Sequence, residues 1–134
     1  MEGVTDDPTS GSGGAIRVPV TASGIADKVR DALDHGDLDR LGALLSPDVH
    51  WGPPGGAKPP CRNRAQVLSW YAKGRAAGRR ATVTEVEVRG NALLVGLRLE
   101  DGHDRWQVLR VGPEGINDIR GYEDRAEAAL GLPR

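Results

Sequence analysis

The spacing of hydrophobic residues divides the chain into a helical first half and an extended second half. Apolar residues such as Ile25, Val29 and Leu33 recur three or four positions apart, which is typical of a helix with one buried face. Residues that favour helix ends flank three stretches of this kind. The predicted start and stop residues are Ser23 and Gly36 for the first helix, Asp37 and Pro47 for the second, and Asn63 and Gly78 for the third.

After Gly78 the spacing of the apolar residues becomes two. Leu93, Val95 and Leu97 stand at every second position, which is typical of a strand with one buried face. Tight turns rich in glycine separate the strands. The predicted strands are 82–88, 93–99, 105–111 and 116–122, and a short charged helix follows at 125–130. Helices followed by a meander of antiparallel strands predict an α+β fold, with the helices on one face of a curved sheet.

Composition limits the possible functions without choosing one. The chain has 134 residues, of which 38% are hydrophobic and 28% charged, as expected for one globular domain. A net charge of -1 provides no general attraction for nucleic acid or an anionic membrane, so we expect neither as a partner. With a single cysteine, no apolar run of membrane-spanning length and no signal-peptide pattern, we expect a cytoplasmic protein. Residues 1–24 are expected to form a flexible tail before a domain at 25–134.

Three runs of the sequence carry a family resemblance: LDHGDLDRLGALLSPDVHW, CRNRAQVLSWY and RWQVLRVGPEGINDIRGYEDR. They resemble the nuclear transport factor 2-like superfamily, specifically its SnoaL-like branch, and the resemblance covers roughly residues 25–130. It implies a cone-shaped, cystatin-like roll, in which three N-terminal helices pack on a curved antiparallel sheet that encloses a pocket. It also implies a homodimer formed through the outer face of the sheet.

The family layout also sorts side chains between the pocket and the outer face. Trp51 and Trp70 would form an apolar wall of the pocket, and the loop at residues 52–60 would form its rim. The resemblance places Asp118, Arg120 and Tyr122 on the outer face. The residues expected to line the pocket are Val29, Trp51, Gly52, Trp70, Leu97, Arg105, Gln107, Asn117, Ile119 and Gly121.

The positions at which enzymes of this superfamily carry acids are not acidic in this chain. In the ketosteroid isomerase branch an Asp abstracts the proton, while a Tyr and a protonated Asp hold the oxyanion. The alignment puts Gly52, Val29 and Gln107 at these three positions. The cyclase and epoxide hydrolase branches place a carboxylate on the last strand, where this chain has Gly121. The resemblance therefore implies a pocket without its usual catalytic groups.

Two other side chains are weak candidates for catalysis. His50 lies near the expected pocket mouth and would be a general base. The alternative, which we favour, is a strand residue that points outward while Val49 and Trp51 point inward. Asp118 would serve hydrolysis if the last strand faced the other way, and otherwise forms an outer-face ion pair with Arg120.

The combined expectation is a pocket protein that binds a largely apolar small molecule, with no reaction assigned. The three histidines are widely spaced and show no ligand motif, so we expect no metal and no cofactor. Two alternatives remain open. One is an enzyme of the ketosteroid isomerase, polyketide cyclase or epoxide hydrolase kind, and the other is a non-catalytic dimerisation module with a filled core.

Overall fold

The computed structural model describes residues 20–52, 61–77 and 80–133. The predicted tail up to residue 19, most of the predicted rim loop (residues 53–60) and the stop residue Gly78 lie outside the described residues. The described elements, in chain order, are α1 (Ala22–His35), α2 (Leu38–Leu44), β1 (Leu45–Gly52), α3 (Arg64–Ala76), β2 (Ala81–Arg89), β3 (Ala92–Leu99), β4 (Asp104–Gly112), β5 (Gly115–Tyr122) and α4 (Arg125–Leu130). The α+β class is confirmed.

The helix caps agree with the sequence prediction except at the start of α1 and at the end of α2, which ends at Leu44 with Leu45 as its cap, while the predicted stop residue Pro47 lies in β1. Asp37 and Asn63 each accept a hydrogen bond from the backbone N–H three residues on, and Gly36 ends α1 with φ 60°. The cap of α1 is Thr21, whose hydroxyl oxygen accepts a backbone hydrogen bond at 3.1 Å. The predicted cap, Ser23, lies inside the first turn. Two hydroxyl residues two positions apart give nearly the same sequence signal, so the pattern alone did not separate them.

The five strands form one mixed sheet in the order β1-β5-β4-β3-β2. Strands β2 to β5 form the antiparallel meander that the alternating pattern predicts. The expectation of a purely antiparallel sheet is wrong, because β1 pairs with β5 in parallel. This pairing is interrupted between Leu45 and His50, and Pro47 falls in that irregular stretch, where it removes no regular ladder hydrogen bond.

The main core lies between the inner face of the sheet and the helices α1 and α3. It contains Val29 from α1, Val67 from α3 and Leu45 from β1, all fully buried. Leu93, Val95 and Leu97, which the alternating pattern assigns to the buried face, pack in this core. The inner face is therefore the one that carries both the core and the site described below.

A second, smaller core lies on the outer face of the sheet, under α4. Ala128 and Leu132, from α4 and the residues after it, pack against Ala92, Leu94 and Val108 of the sheet. The charged pattern of residues 125–130 gave no sign of this packing. Among the four helices in the described part of the chain, none has the length and apolar character needed to cross a membrane.

Candidate functional site

A cavity of about 390 Å³ lies on the inner face of the sheet, at the end where β3 and β5 finish and where β2 and β4 begin. The last turns of α1 and α3 cover the cavity on the side away from the sheet, and Leu38 and Leu41 of α2 contribute to its wall. The other half of the inner face is filled by the main core. The interior of the fold is thus solid at one end and hollow at the other.

Three aromatic side chains form one wall of the cavity. The ring of Trp51 stacks on that of Tyr71, with 4.7 Å between centroids and an angle of 24° between planes. Trp70 meets Trp51 edge to face, with 6.2 Å between centroids. Trp70 is 52% exposed and therefore lies at the edge of the cavity. This wall offers a flat, apolar surface that ends in solvent.

A pair of neutral polar groups adjoins this wall. The Tyr71 hydroxyl donates a hydrogen bond to Oε1 of Gln107 at 3.2 Å, and Gln107 is only 7% exposed. Within the described part of the chain, the amide nitrogen of Gln107 has no hydrogen-bond acceptor. Burial raises the pKa of Tyr71 to about 12, so the phenol stays protonated at neutral pH. The pair can therefore donate hydrogen bonds to a ligand through the Gln107 amide nitrogen and accept one at the Tyr71 oxygen, but it cannot take up a proton as a base.

Charged groups line the cavity towards solvent. Arg75 of α3, Arg80 before β2 and Arg105 of β4 all contribute to the lining. Glu123 is the only carboxylate among the described lining residues, and its Oε1 lies 3.2 Å from Nη1 of Arg105. The described residues contain no group of three or more His, Cys, Asp and Glu side chains that would hold a metal ion.

Six of the ten residues expected to line the pocket do line this cavity: Trp51, Trp70, Leu97, Arg105, Gln107 and Gly121. Four do not. Val29 and Ile119 belong to the filled half of the interior, because the cavity begins one helical turn after Val29 and two strand positions after Ile119. Gly52 is buried in β1 without contributing to the lining.

Asn117 is exposed because the pairing of β5 shifts at this point. Arg110 lies opposite Asp118, but the next residue, Val111, lies opposite Ile116. Asn117 is thus an extra residue in β5, and it reverses the alternation of the side chains. Strict alternation takes no account of this extra residue and therefore places Asn117 in the pocket.

The two weak catalytic candidates lie on the outer face of the sheet. His50 is exposed and lies beside Asp118 in the register of β1 and β5, while its neighbour Val49 is buried in the main core. The carboxylate of Asp118 forms an ion pair with the Arg120 guanidinium at 3.0 Å, and each of these two side chains is about one-fifth exposed. This placement removes the geometry on which a catalytic role for either residue rested.

Spacing in the sequence assigns only Trp70 of α3 to the pocket, whereas a whole face of this helix lines the cavity. Trp70, Tyr71, Gly74 and Arg75 all line the cavity, and positions i, i+1, i+4 and i+5 share one face of a helix. Trp70 was assigned to the pocket, so the same helical spacing would have pointed to the other three. Arg80 precedes its strand and carried no comparable signal.

The fold matches solved structures over most of its length. A SnoaL-like protein of unknown function from Burkholderia thailandensis is 16% identical with a TM-score of 0.63, over 80% of this chain and 99% of that one. A candidate polyketide cyclase from Sinorhizobium meliloti is 18% identical with a TM-score of 0.60, over 73% and 93%. A candidate ketosteroid isomerase from Kribbella flavida is 22% identical with a TM-score of 0.61, over 75% and 76%. At these identities the likeness establishes the fold alone.

The sequence itself matches a known domain family. No curated protein matches the chain. The SnoaL-like domain family matches residues 26–118, from α1 to the middle of β5, and so includes most of the cavity lining. Because this match covers more than half of the sequence, the chain belongs to the SnoaL-like domain family.

Proposed function

We propose that the protein binds a small, largely apolar molecule in the cavity. The observation that carries this proposal is the Tyr71–Gln107 pair, which places hydrogen-bonding groups inside an otherwise apolar, aromatic wall. Small-molecule sites usually have this composition, and the cavity volume of about 390 Å³ falls within their range of roughly 300–1,000 Å³. The hollow interior supports binding over the alternative of a dimerisation module with a filled core.

A thermal-shift panel of neutral steroids, terpenoids and aromatic ketones tests this proposal. Replacing Gln107 with Leu should lower the free energy of unfolding by about 1 kcal/mol, because the Tyr71 hydroxyl loses its acceptor, and should weaken binding of a polar-headed ligand by about 1–3 kcal/mol. Asn117→Leu is the matched control, because it removes an amide that lies outside the cavity. If no compound shifts the melting temperature of the wild type or of either variant, the dimerisation module becomes the better explanation.

A catalytic function is the second candidate. Two neutral donors at the cavity would polarise a substrate carbonyl: the Gln107 amide, and the Tyr71 hydroxyl once its single hydrogen turns from Gln107 to the substrate. The names of two structural neighbours, a candidate cyclase and a candidate ketosteroid isomerase, point to carbonyl chemistry of this kind. Glu123, the single carboxylate among the described lining residues, is 84% exposed and already paired. A carbonyl-polarising role is therefore better supported than general base catalysis.

An isomerisation assay with an unsaturated ketosteroid, followed by absorbance, tests the catalytic candidate. If the protein is such an enzyme, Tyr71→Phe should lower kcat by about 10²–10³-fold, the usual effect of removing one oxyanion donor. His50→Ala should retain full turnover, because His50 lies on the opposite face of the sheet. Equal rates with and without the protein would remove this candidate for the substrate tested.

The homodimer and the cytoplasmic location remain predictions. The centre of the outer face is covered by α4, so a dimer through this face would place α4 in the interface. Leu130 of α4 is 86% exposed and would become buried there. Analytical ultracentrifugation of the wild type and of Leu130→Glu tests this arrangement, because the charged variant should dissociate a dimer built on α4 and leave a monomer unchanged.

A further inference from the structure

The cationic residues of the cavity lining come from three separate elements. Arg75 lies on α3, Arg80 precedes β2 and Arg105 lies on β4. One carboxylate, that of Glu123, opposes these three guanidinium groups in the described lining. The lining is therefore locally positive, although the whole chain has a net charge of -1.

These guanidinium groups have little to bind within the described residues. The pair between Arg105 and Glu123 joins side chains that are 43% and 84% exposed, so solvent screens it and it holds Arg105 weakly. No acceptor in the described part of the chain lies within hydrogen-bonding distance of the Arg75 or Arg80 side chain. On the outer face four arginines each have a described partner: Arg98 binds Asp104, Arg110 binds the carbonyl of Gly131, Arg120 binds Asp118 and Arg125 binds Glu85.

Arg75 is held beside the cavity by a specific packing contact. Its guanidinium occupies the space in which a Cβ on Gly36 would stand, space that only a glycine leaves open. Within the described residues Arg75 donates no hydrogen bond to a carbonyl of α1. The carbonyls of Ala32 and Leu33, in the last turn of α1, accept backbone hydrogen bonds from Asp37 and Gly36. The charge of Arg75 therefore remains available at the cavity.

We infer that the cavity accepts an amphipathic organic acid, whose apolar body lies on the aromatic wall and whose carboxylate meets Arg75, Arg80 and Arg105. This inference rests on the proposed binding function and adds the chemical class of the ligand. Planar guanidinium groups match the geometry of a carboxylate and bind it through paired, charge-assisted hydrogen bonds. The aromatic wall and the three arginines lie at the same end of the sheet, so one small molecule can reach both.

Three naphthalene derivatives of nearly equal size and different charge test the inference: 2-naphthylacetic acid, 2-naphthylethanol and 2-naphthylethylamine. Isothermal titration calorimetry at low ionic strength should show the acid binding about tenfold to a hundredfold more tightly than the alcohol, and the amine most weakly. The advantage of the acid should shrink as salt is added, because the arginines are partly exposed.

Variants then locate the preference. Arg80→Gln and Arg105→Gln should each weaken binding of the acid about three- to tenfold and leave the alcohol unchanged. Arg30→Gln is the matched control, because it removes an exposed arginine of α1 that does not line the cavity. Trp70→Ala should weaken binding of the acid and of the alcohol alike.

The outcomes separate this inference from the proposed function. Equal binding of acid and alcohol, or an Arg30→Gln effect as large as that of Arg80→Gln, overturns the anionic preference and leaves apolar binding intact. If none of the three compounds binds, the inference and the binding function of the cavity fail together.

Discussion

The hydroxyl of Tyr71 donates a hydrogen bond to the side-chain oxygen of Gln107 and so joins α3 to the inner face of β4. Both partners lie where the filled core gives way to the cavity. A hydrogen bond in this position costs free energy if only one partner is removed, because the other then stays desolvated without a partner. The contact therefore links the stability of the fold to the polar part of the candidate site.

A double-mutant cycle measures this link. Tyr71→Phe should lower the free energy of unfolding by about 1 kcal/mol, since it leaves Oε1 of Gln107 without its donor. Gln107→Leu combined with Tyr71→Phe should cost less than the sum of the two single changes, by about 0.5–1.5 kcal/mol. Urea denaturation of the four proteins gives the coupling energy, and a value near zero would show that the pair does not form in solution.

The protonation of Tyr71 predicts a loss of stability at high pH. Burial raises the pKa of Tyr71 to about 12 in the folded chain, whereas a tyrosine in an unfolded chain titrates near 10. Between about pH 10 and 12 the unfolded state has lost this proton and the folded state still holds it. The stabilisation from this group is therefore complete below about pH 10, and it falls by at most roughly 1.4 kcal/mol per pH unit in that window.

Two measurements check the titration of Tyr71. Absorbance at 295 nm should show a phenolate that appears about two pH units above the ordinary tyrosine value and that is missing in Tyr71→Phe. Urea denaturation between pH 9 and 11 should show a steeper loss of stability in the wild type than in the variant. Parallel curves for the two proteins would mean that Tyr71 is not buried as described.

Two strand glycines with different surroundings predict opposite effects of the same substitution. A Cβ on Gly96 would lie 2.5 Å from a ring carbon of Trp106 and 2.6 Å from Oγ1 of Thr84, so Gly96→Ala should destabilise the fold by about 1–3 kcal/mol. A Cβ on Gly121 would meet nothing within 4 Å, because Gly121 faces the cavity. Gly121→Ala should be neutral or stabilise by up to about 1 kcal/mol.

Thermal and urea denaturation compare the two glycine variants directly. Calorimetry with the naphthyl compounds adds a second readout. The larger side chain of Gly121→Val should occupy part of the cavity and so reduce binding. Equal destabilisation by Gly96→Ala and Gly121→Ala would show that Gly121 does not face an open cavity.

Local patterns predicted most of the secondary structure, and the exceptions have physical reasons. The predicted strand 82–88 is β2 to within one residue at each end, because alternation and the turn at Gly90 are both local signals. The parallel pairing of β1 was missed, because its partner β5 lies more than 60 residues away and no turn between them records the pairing. Spacing in the sequence predicts that only one face of the strand at 93–99 is buried. In the structure every residue from Ala92 to Leu97 is buried, as expected for a strand that is covered on both sides of the sheet.

The candidate site was predictable only where strict periodicity holds. Gln107 and Gly121 were placed correctly at the cavity, whereas one extra residue in β5 was enough to move Asn117 outside it. Arg75 and Arg80 belong to one basic stretch of the sequence, which the end of a helix is enough to explain, and Arg105 joins them only through the tertiary fold. Single positions within an element follow from spacing, but a cluster drawn from several elements does not.

The packing of α4 on the outer face of the sheet depends on one small residue, Ala128. Ala128 is fully buried against the sheet, while Ala126, on the same short helix, is exposed. Ala128→Glu would force a charge and four further heavy atoms into this contact, and we expect a loss of more than about 3 kcal/mol as α4 leaves the sheet. Ala126→Glu adds the same side chain on the solvent side and should stay within about 0.5 kcal/mol of the wild type. Denaturation measures both changes, and binding of a hydrophobic dye should rise only in Ala128→Glu, where release of α4 uncovers Leu94 and Val108. Equal stability of the two variants would mean that α4 does not cover the sheet, and the outer face would then be open along its whole length for a partner subunit.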